Sequence, residues 1–134
     1  RSMTPFSPKI GTPWVPIIDA ATAANSAFYR AFNAGDVEAI AGLWAPASLV
    51  SECTHPGSPC IYGRAAGLGS WGLLFDLKGL RSIRVADERI LIATSQSGVI
   101  TCSEVVDTGG SVEKTNCFAR DVTGSLYMVG HHAG

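Results

Sequence analysis

The chain has 134 residues, 46% of them hydrophobic and 16% charged, with 10 Lys and Arg against 11 Asp and Glu for a net charge of −1. That length is one domain's worth, and a chain this apolar and weakly charged can bury a core, which excludes wholesale disorder. The balanced charge argues against a nucleic-acid surface, which needs clustered cations. No run of about 18 apolar residues is present to span a membrane as a helix.

Arg1-Ser2-Met3 reads as a cloning remnant before an initiator Met, or as a fragment left by processing. No basic, then apolar, then small-residue signal segment follows it. The expectation is a soluble chain of the cytoplasm, or of an organelle where a targeting peptide has been removed. Pro5, Pro8, Pro13 and Pro16 make residues 1–16 an extended arm, because each proline lacks an N–H and biases its predecessor away from the helix. Phe6 and Trp14 are the arm's expected packing anchors, and residues 17–134 form the domain.

Ile17, Ala21, Ala24, Phe28 and Phe32 recur at three- and four-residue steps and predict a helix over Ile17–Ala34, with Gly35 as its terminator. Asp36 caps a short second helix with Val37, Ile40, Ala41 and Trp44 on its buried side, ended by Pro46. Residues 48–55 read as a strand stopped by Pro56-Gly57. Residues 63–77 read as a third helix with Leu68, Trp71, Leu74 and Phe75 on one side. Beyond Gly79 the period changes to two: strands are marked by Ile83 and Val85, by Ile90 and Ile92, and then over residues 99–106, 112–120 and 126–132. Turns fall at Asp87-Glu88, around Gly98, at Gly109-Gly110 and around Gly124. Helices first and a meander of strands after them predict an α+β domain, with helices covering one face of a mostly antiparallel sheet.

The four cysteines, Cys53, Cys60, Cys102 and Cys117, are spaced too widely for a CxxC zinc site. Buried free thiols are the first expectation, disulfides the second and a metal site the third. With three histidines and no HxH or HExxH spacing, no metal is expected. No Walker loop, dinucleotide glycine fingerprint or nucleophile elbow appears either, so no cofactor is expected.

The segments AFYRAFNAGDVEAIAGLWA, CTHPGSPCIYGRAA, TCSEVV and EKTNCFARDVTGSLYMVGHHAG resemble the SnoaL-like branch of the nuclear transport factor two-like superfamily, from about Ile17 to the C-terminus. The His-Pro-Gly turn followed by Gly63-Arg64, and the closing strand ending in a His pair, are the more specific pieces. The resemblance implies a cone: a curved, mostly antiparallel sheet wrapped around the long N-terminal helix, as in cystatin-like folds, with a pocket at the wide end and dimers through the sheet. Relatives span ketosteroid isomerase, scytalone dehydratase, limonene epoxide hydrolase, polyketide cyclases, the association domain of calcium/calmodulin-dependent kinase two and metal-free iota-class carbonic anhydrases. This chain departs from them in opening its closing strand on Tyr127 and in lacking a terminal serine after the His pair.

If Gly109 and Gly110 are the two turn residues, Cys102 faces Cys117 and Glu104 faces Thr115. Glu104, Cys117, Tyr127 and His131 then point inward, with Ser103, Asn116, Phe118, Met128 and His132 on the other face. One bulge swaps this, so Asn116 and His132 stay candidates. Glu104 interrupts an apolar strand; turned inward it is a desolvated acid or base, and at an edge it faces water or pairs with Lys114 or Arg120. His55, before the Pro56-Gly57 turn, is either its partner at the pocket mouth or a structural turn histidine. His131 is the other candidate partner, or a satisfied sheet histidine. Tyr62, Trp71, Phe75, Asn116, Tyr127 and His132 are the candidate ligand contacts, and Arg64 either binds an anionic group or is a surface charge at a helix start.

Three functions fit. The first is binding of a small, largely apolar organic ligand, with cofactor-free isomerase, dehydratase, cyclase or hydratase chemistry at Glu104 and a histidine. The second is a non-catalytic dimerisation or assembly subunit, contacting a copy or another protein through the arm and a sheet face bearing Phe118 and Met128. The third is metal-free carbon dioxide hydration.

Overall fold

Helix α1 (Ile17–Ala34) ends as its composition requires. Gly35 adopts the left-handed conformation (φ 63°), its N–H reaches Phe32 O, and the N–H of Asp36 reaches Ala31 O. This double bond pattern satisfies carbonyls that a helix end leaves free. Asp36 then caps α2 (Val37–Leu43), its Oδ1 accepting from the N–H of Ala39 at 3.0 Å. The computed structural model describes residues 16–78 and 82–133. The expectations for Phe6, Trp14 and the other arm residues before Pro16 lie outside them. No helix among the described residues is long and apolar enough to cross a membrane.

After α2 come β1 (Glu52–Cys53), β2 (Ile61–Tyr62), α3 (Arg64–Lys78), β3 (Ile83–Ala93), β4 (Ser97–Val106), β5 (Ser111–Arg120) and β6 (Leu126–Ala133). They form one six-stranded sheet in the order β2-β1-β6-β5-β4-β3, with β1 parallel to β6 and every other pairing antiparallel. Helix α1 packs on β3, β4 and β6, and this is where the core sits. Phe28, Ile40, Trp44, Trp71, Ile100, Phe118 and Met128 are its large, fully buried side chains.

The first strand is shorter than expected, because Leu49 N–H closes a turn on Pro46 O and Pro56-Gly57 ends pairing early. The chain returns through β2, which the sequence pattern did not announce. Asp87-Glu88 is not a turn. It is a bulge inside one continuous edge strand, with Asp87 at φ 53° and the register shifting between Ala86 and Arg89. Such a bulge bends a strand and re-aims its side chains.

The β4–β5 hairpin is also not a Gly-Gly two-residue turn. Only Gly109 takes a positive φ (97°), and Val106 N–H closes the loop on Gly110 O. Cys102 therefore pairs with Lys114, Glu104 with Val112 and Val99 with Cys117. This register puts Cys102, Glu104, Lys114, Asn116 and Phe118 on the interior face. A second irregularity, between Cys117 and Phe118 on β5, leaves Val129 of β6 unpaired. His131 thus stays opposite Asn116 while Met128 sits opposite Phe118. Phe118 and Met128, each 1% exposed, belong to the core and not to a partner surface.

Arg64 does not stand free. Its guanidinium donates to the carbonyls of Ala41 at 3.0 Å, Trp44 at 3.0 Å and Ala45 at 3.1 Å, closing the C-terminal end of α2. Arg64→Met strips these carbonyls of their donors, and urea denaturation is expected to show a loss of about 2–3 kcal/mol. An unchanged midpoint would mean that water satisfies them equally well.

Candidate active site

The interior face gathers one set of polar side chains around Glu104. Tyr29 lies one helical turn beyond Asn25 on α1, so both project onto the sheet together. The Tyr29 hydroxyl donates to Glu104 Oε2 at 2.6 Å and accepts from Asn116 Nδ2 at 3.1 Å. Lys114 Nζ stands 3.9 Å from Glu104 Oε1, and His131 Nε2 stands 3.7 Å from Glu104 Oε2. His131 Nδ1 donates to Asn116 Oδ1 at 2.6 Å. In a neutral ring Nε2 then carries the lone pair, and it faces the carboxylate across a gap too wide for a direct hydrogen bond.

Burial raises the pKa of Glu104, against the opposing pulls of Lys114 and of the Tyr29 hydrogen bond. Burial lowers that of Lys114, with Glu104 opposing. His131 is driven well below its ordinary value by burial, then by Lys114, His55 and His132, so its ring is neutral near pH 7. Burial and then the Glu104 charge raise the Tyr29 phenol, which stays a donor. A carboxylate with 10% of its side chain still exposed, a neutral imidazole and a fixed phenol donor in an apolar surround make a proton-transfer set.

Trp71 closes the apolar side. It is 1% exposed, its ring centroid is 5.1 Å from that of His131 and 5.3 Å from that of Phe28, and its Nε1–H has no hydrogen-bond partner. Phe75 is half-buried, edge-on to Phe32 at 5.4 Å. His55 stands edge-on to Trp71 at 4.5 Å, with Nε2 at 2.9 Å from Ser70 Oγ. The described contacts tie it to Ser70, to Cys53 Sγ and to its own turn, and none reaches Glu104. Burial and Lys114 lower its pKa as well.

Other expected residues lie elsewhere. Tyr127 pairs with Ala119 on the outer face, because the irregularity at Val129 reverses the alternation of β6. Cys117 also faces outward, against Gly130. His132 is outside too, its Nε2 3.0 Å from Glu52 Oε1. Tyr62 is 66% exposed and borders an outer cleft of about 430 Å³ with Leu49, Val50 and Leu68. All four cysteines are free, and burial pushes the Cys53 thiol up to about 12. Among the described residues, no group of three or more His, Cys, Asp or Glu is placed to hold a metal ion.

Tyr29, Asn25 and Lys114 are the members that sequence reasoning missed or placed differently. Asn25 and Tyr29 interrupt the Ala-rich stripe of α1 at a four-residue step, a signal visible in the sequence. Lys114 looked like a surface partner because the assumed hairpin turn was wrong.

Stability should report the neutral His131. In the unfolded chain its imidazole takes a proton below its ordinary pKa of 6.5, and in the folded chain it does not. Its contribution is complete above that pH and falls by about 1.4 kcal/mol per unit as pH drops toward the folded value. Thermal melts across about pH 5 to 7 should show a shallower acid loss for His131→Gln than for the wild type, with His55 adding to the remaining slope and Glu104, whose carboxyl is raised, opposing it. Parallel pH curves would show that His131 is protonated inside the fold.

A family model for the SnoaL-like domain matches residues 21–133. Among solved structures, a candidate dehydratase of the nuclear transport factor two-like family from Streptomyces avermitilis is 28% identical, covering 87% of this chain and 93% of that one, with a TM-score of 0.76. A candidate calcium/calmodulin-dependent protein kinase type II association domain from Thiobacillus denitrificans is 26% identical over 95% of this chain and 97% of that one, with a TM-score of 0.72. An uncharacterised protein with a cystatin-like fold from Caulobacter vibrioides, 14% identical over 87% of each chain at a TM-score of 0.73, is alike in fold. No match was found among curated proteins.

Proposed function

The chain belongs to the SnoaL-like domain family, and we propose that it binds a small, largely apolar organic molecule against Trp71 and performs cofactor-free acid–base chemistry on it. The observation that carries this reading is the gap of 3.7 Å between His131 Nε2 and Glu104 Oε2. A ligand hydroxyl lying off their axis gives its one hydrogen to His131 Nε2, and its oxygen accepts from the Glu104 carboxyl when burial keeps that group protonated. Protonated Glu104 gives its proton to that oxygen as the C–O bond breaks, and its carboxylate then takes the proton from the adjacent carbon; addition of water runs the same steps in reverse. His131 Nε2 holds the hydroxyl, and the Tyr29 donor and the Lys114 charge stabilise the carboxylate when it is ionised. Desolvation strengthens each of these interactions. Loss or gain of water at that hydroxyl, or a proton shift beside it, is the reaction class such a set serves. The candidate dehydratase relative from Streptomyces avermitilis supports the same class.

A thermal-shift screen of small aromatic and terpenoid alcohols tests this directly, because a ligand that binds only the native state raises its melting temperature. Alcohols are expected to raise it and the matching hydrocarbons not to. Glu104→Gln, which keeps the shape and the Tyr29 contact, should retain binding and lose about 10²–10⁴ of any turnover found. Equal shifts with hydrocarbons, or undiminished turnover in the variant, would overturn the reading.

A second reading, an assembly subunit, is favoured by the likeness to the Thiobacillus denitrificans association domain and by the edge strand β3. There Leu91 and Ile92 are 63% and 52% exposed, and an apolar edge is a template for pairing with another chain. Light scattering on a sizing column should give a multiple of the monomer mass, reduced by Leu91→Lys. A monomer in the wild type would remove this reading.

A further inference from the structure

Glu88 sits on the surface, at the bulge of β3, and plays no part in the chemistry above. It is nevertheless one end of a continuous chain of hydrogen bonds into the site. Asn25 Nδ2 donates to Glu88 Oε2 at 2.7 Å, Asn116 Nδ2 donates to Asn25 Oδ1 at 2.9 Å, and His131 Nδ1 donates to Asn116 Oδ1 at 2.6 Å. Every donation runs the same way, from the imidazole toward the carboxylate.

We propose that Glu88 is a positioning residue that fixes the tautomer of His131 through Asn25 and Asn116. A carboxylate only accepts, so the amide of Asn25 must present its NH₂ to Glu88 and its oxygen inward. That oxygen needs a donor, so Asn116 turns its NH₂ toward Asn25, where the same group also serves the Tyr29 hydroxyl. The oxygen of Asn116 is left facing His131, and only an Nδ1–H satisfies it. The proton is thereby kept off Nε2, the atom that faces Glu104 across the gap. Asn25 and Asn116 are both fully buried, so neither amide has water available to offset a reversed orientation.

The backbone shows how the end of the chain is placed. Asp87 takes a left-handed conformation (φ 53°) within the register shift of β3, and Glu88 directly after it reaches back over α1 to Asn25. A regular strand would not interrupt its pairing with β4 at this point. Bulges recur where a strand must re-aim a side chain.

The inference rests on the proposed acid–base reading only for its consequence, that the gap accepts a hydroxyl donor. The tautomer itself is measured without any ligand. In the wild type, ¹⁵N NMR of histidine-labelled protein at neutral pH should show His131 with a protonated Nδ1 and a bare Nε2. Glu88→Lys replaces an acceptor-only end with a donor-only end; the chain then reverses, the Tyr29 hydroxyl donating to Asn116 Oδ1 in place of Glu104, and the proton is expected to move to Nε2. Glu88→Gln, which can still accept from Asn25, should keep the wild-type signature. Glu88 is exposed, so these variants are expected to fold, and the remaining histidine signals serve as the internal check.

A protonated Nε2 in the wild type, or a Glu88→Lys spectrum with Nδ1 still protonated, would overturn the proposal. Either result would leave the alcohol screen standing as a separate test. Conversely, an inverted tautomer in Glu88→Lys with no alcohol binding in the wild type would support the positioning role and remove the acid–base reading.

Discussion

The site depends on keeping one carboxylate away from water. Glu104 interrupts the interior of an apolar strand, and everything next to it answers the cost of that burial. Tyr29 donates to one oxygen and Lys114 sets a positive charge near the other. Neither is a complete solution. At 3.9 Å the ammonium is a loose partner, and burial pushes carboxyl and amine toward neutrality from opposite directions. A buried pair of this kind is seldom the most stable filling for its space, since apolar side chains of similar volume often do as well or better. The arrangement is therefore better understood as something the fold tolerates than as something that holds it together.

What does hold it together is ordinary. Phe28, Trp71 and Phe118 bury large apolar surfaces, each worth about 1.5–3 kcal/mol. The cap at Gly35 and the Arg64 clamp finish the helices that bring those surfaces to the sheet. Asn33 joins the end of α1 to the start of β3 by two bonds to the backbone of Ile83, at 3.0 and 2.9 Å. Because α1 is pinned at that end, Asn25 and Tyr29 arrive over the middle of the sheet with little freedom. A polar cluster of this size keeps a unique arrangement only when each member's partners are specified.

Much of the frame was legible in the sequence, because it is written in local signals. The stripe of α1, the Gly35 terminator and the Asp36 cap need no knowledge of the rest of the chain. So it was with the third helix and the meander. The site was legible only in part, because it depends on register, and register is decided by turns and irregularities whose chemistry is less exclusive. Gly109-Gly110 suits a two-residue turn, yet only Gly109 uses its freedom there. The change moves Lys114, Asn116 and Phe118 indoors and Cys117 out. On β6 the unpaired Val129 keeps His131 inside while turning Tyr127 outward, so a strict alternation could be right for one residue and wrong for the other. Asp87-Glu88 looked like a turn for a good reason, since both the turn and the bulge need a residue that tolerates positive φ.

These irregularities decide which side chains the interior face of this chain carries. A likeness in fold leaves the chemistry of the interior open, and the relatives named here include a candidate enzyme and a candidate association domain on one architecture. Within this chain the deciding features are small: which residue a bulge leaves over, and which way a hydrogen bond runs. In this chain the imidazole's proton points at Asn116 and its lone pair at Glu104. Hydrogen-bond direction, and not shape alone, is thus what these residues specify in the interior.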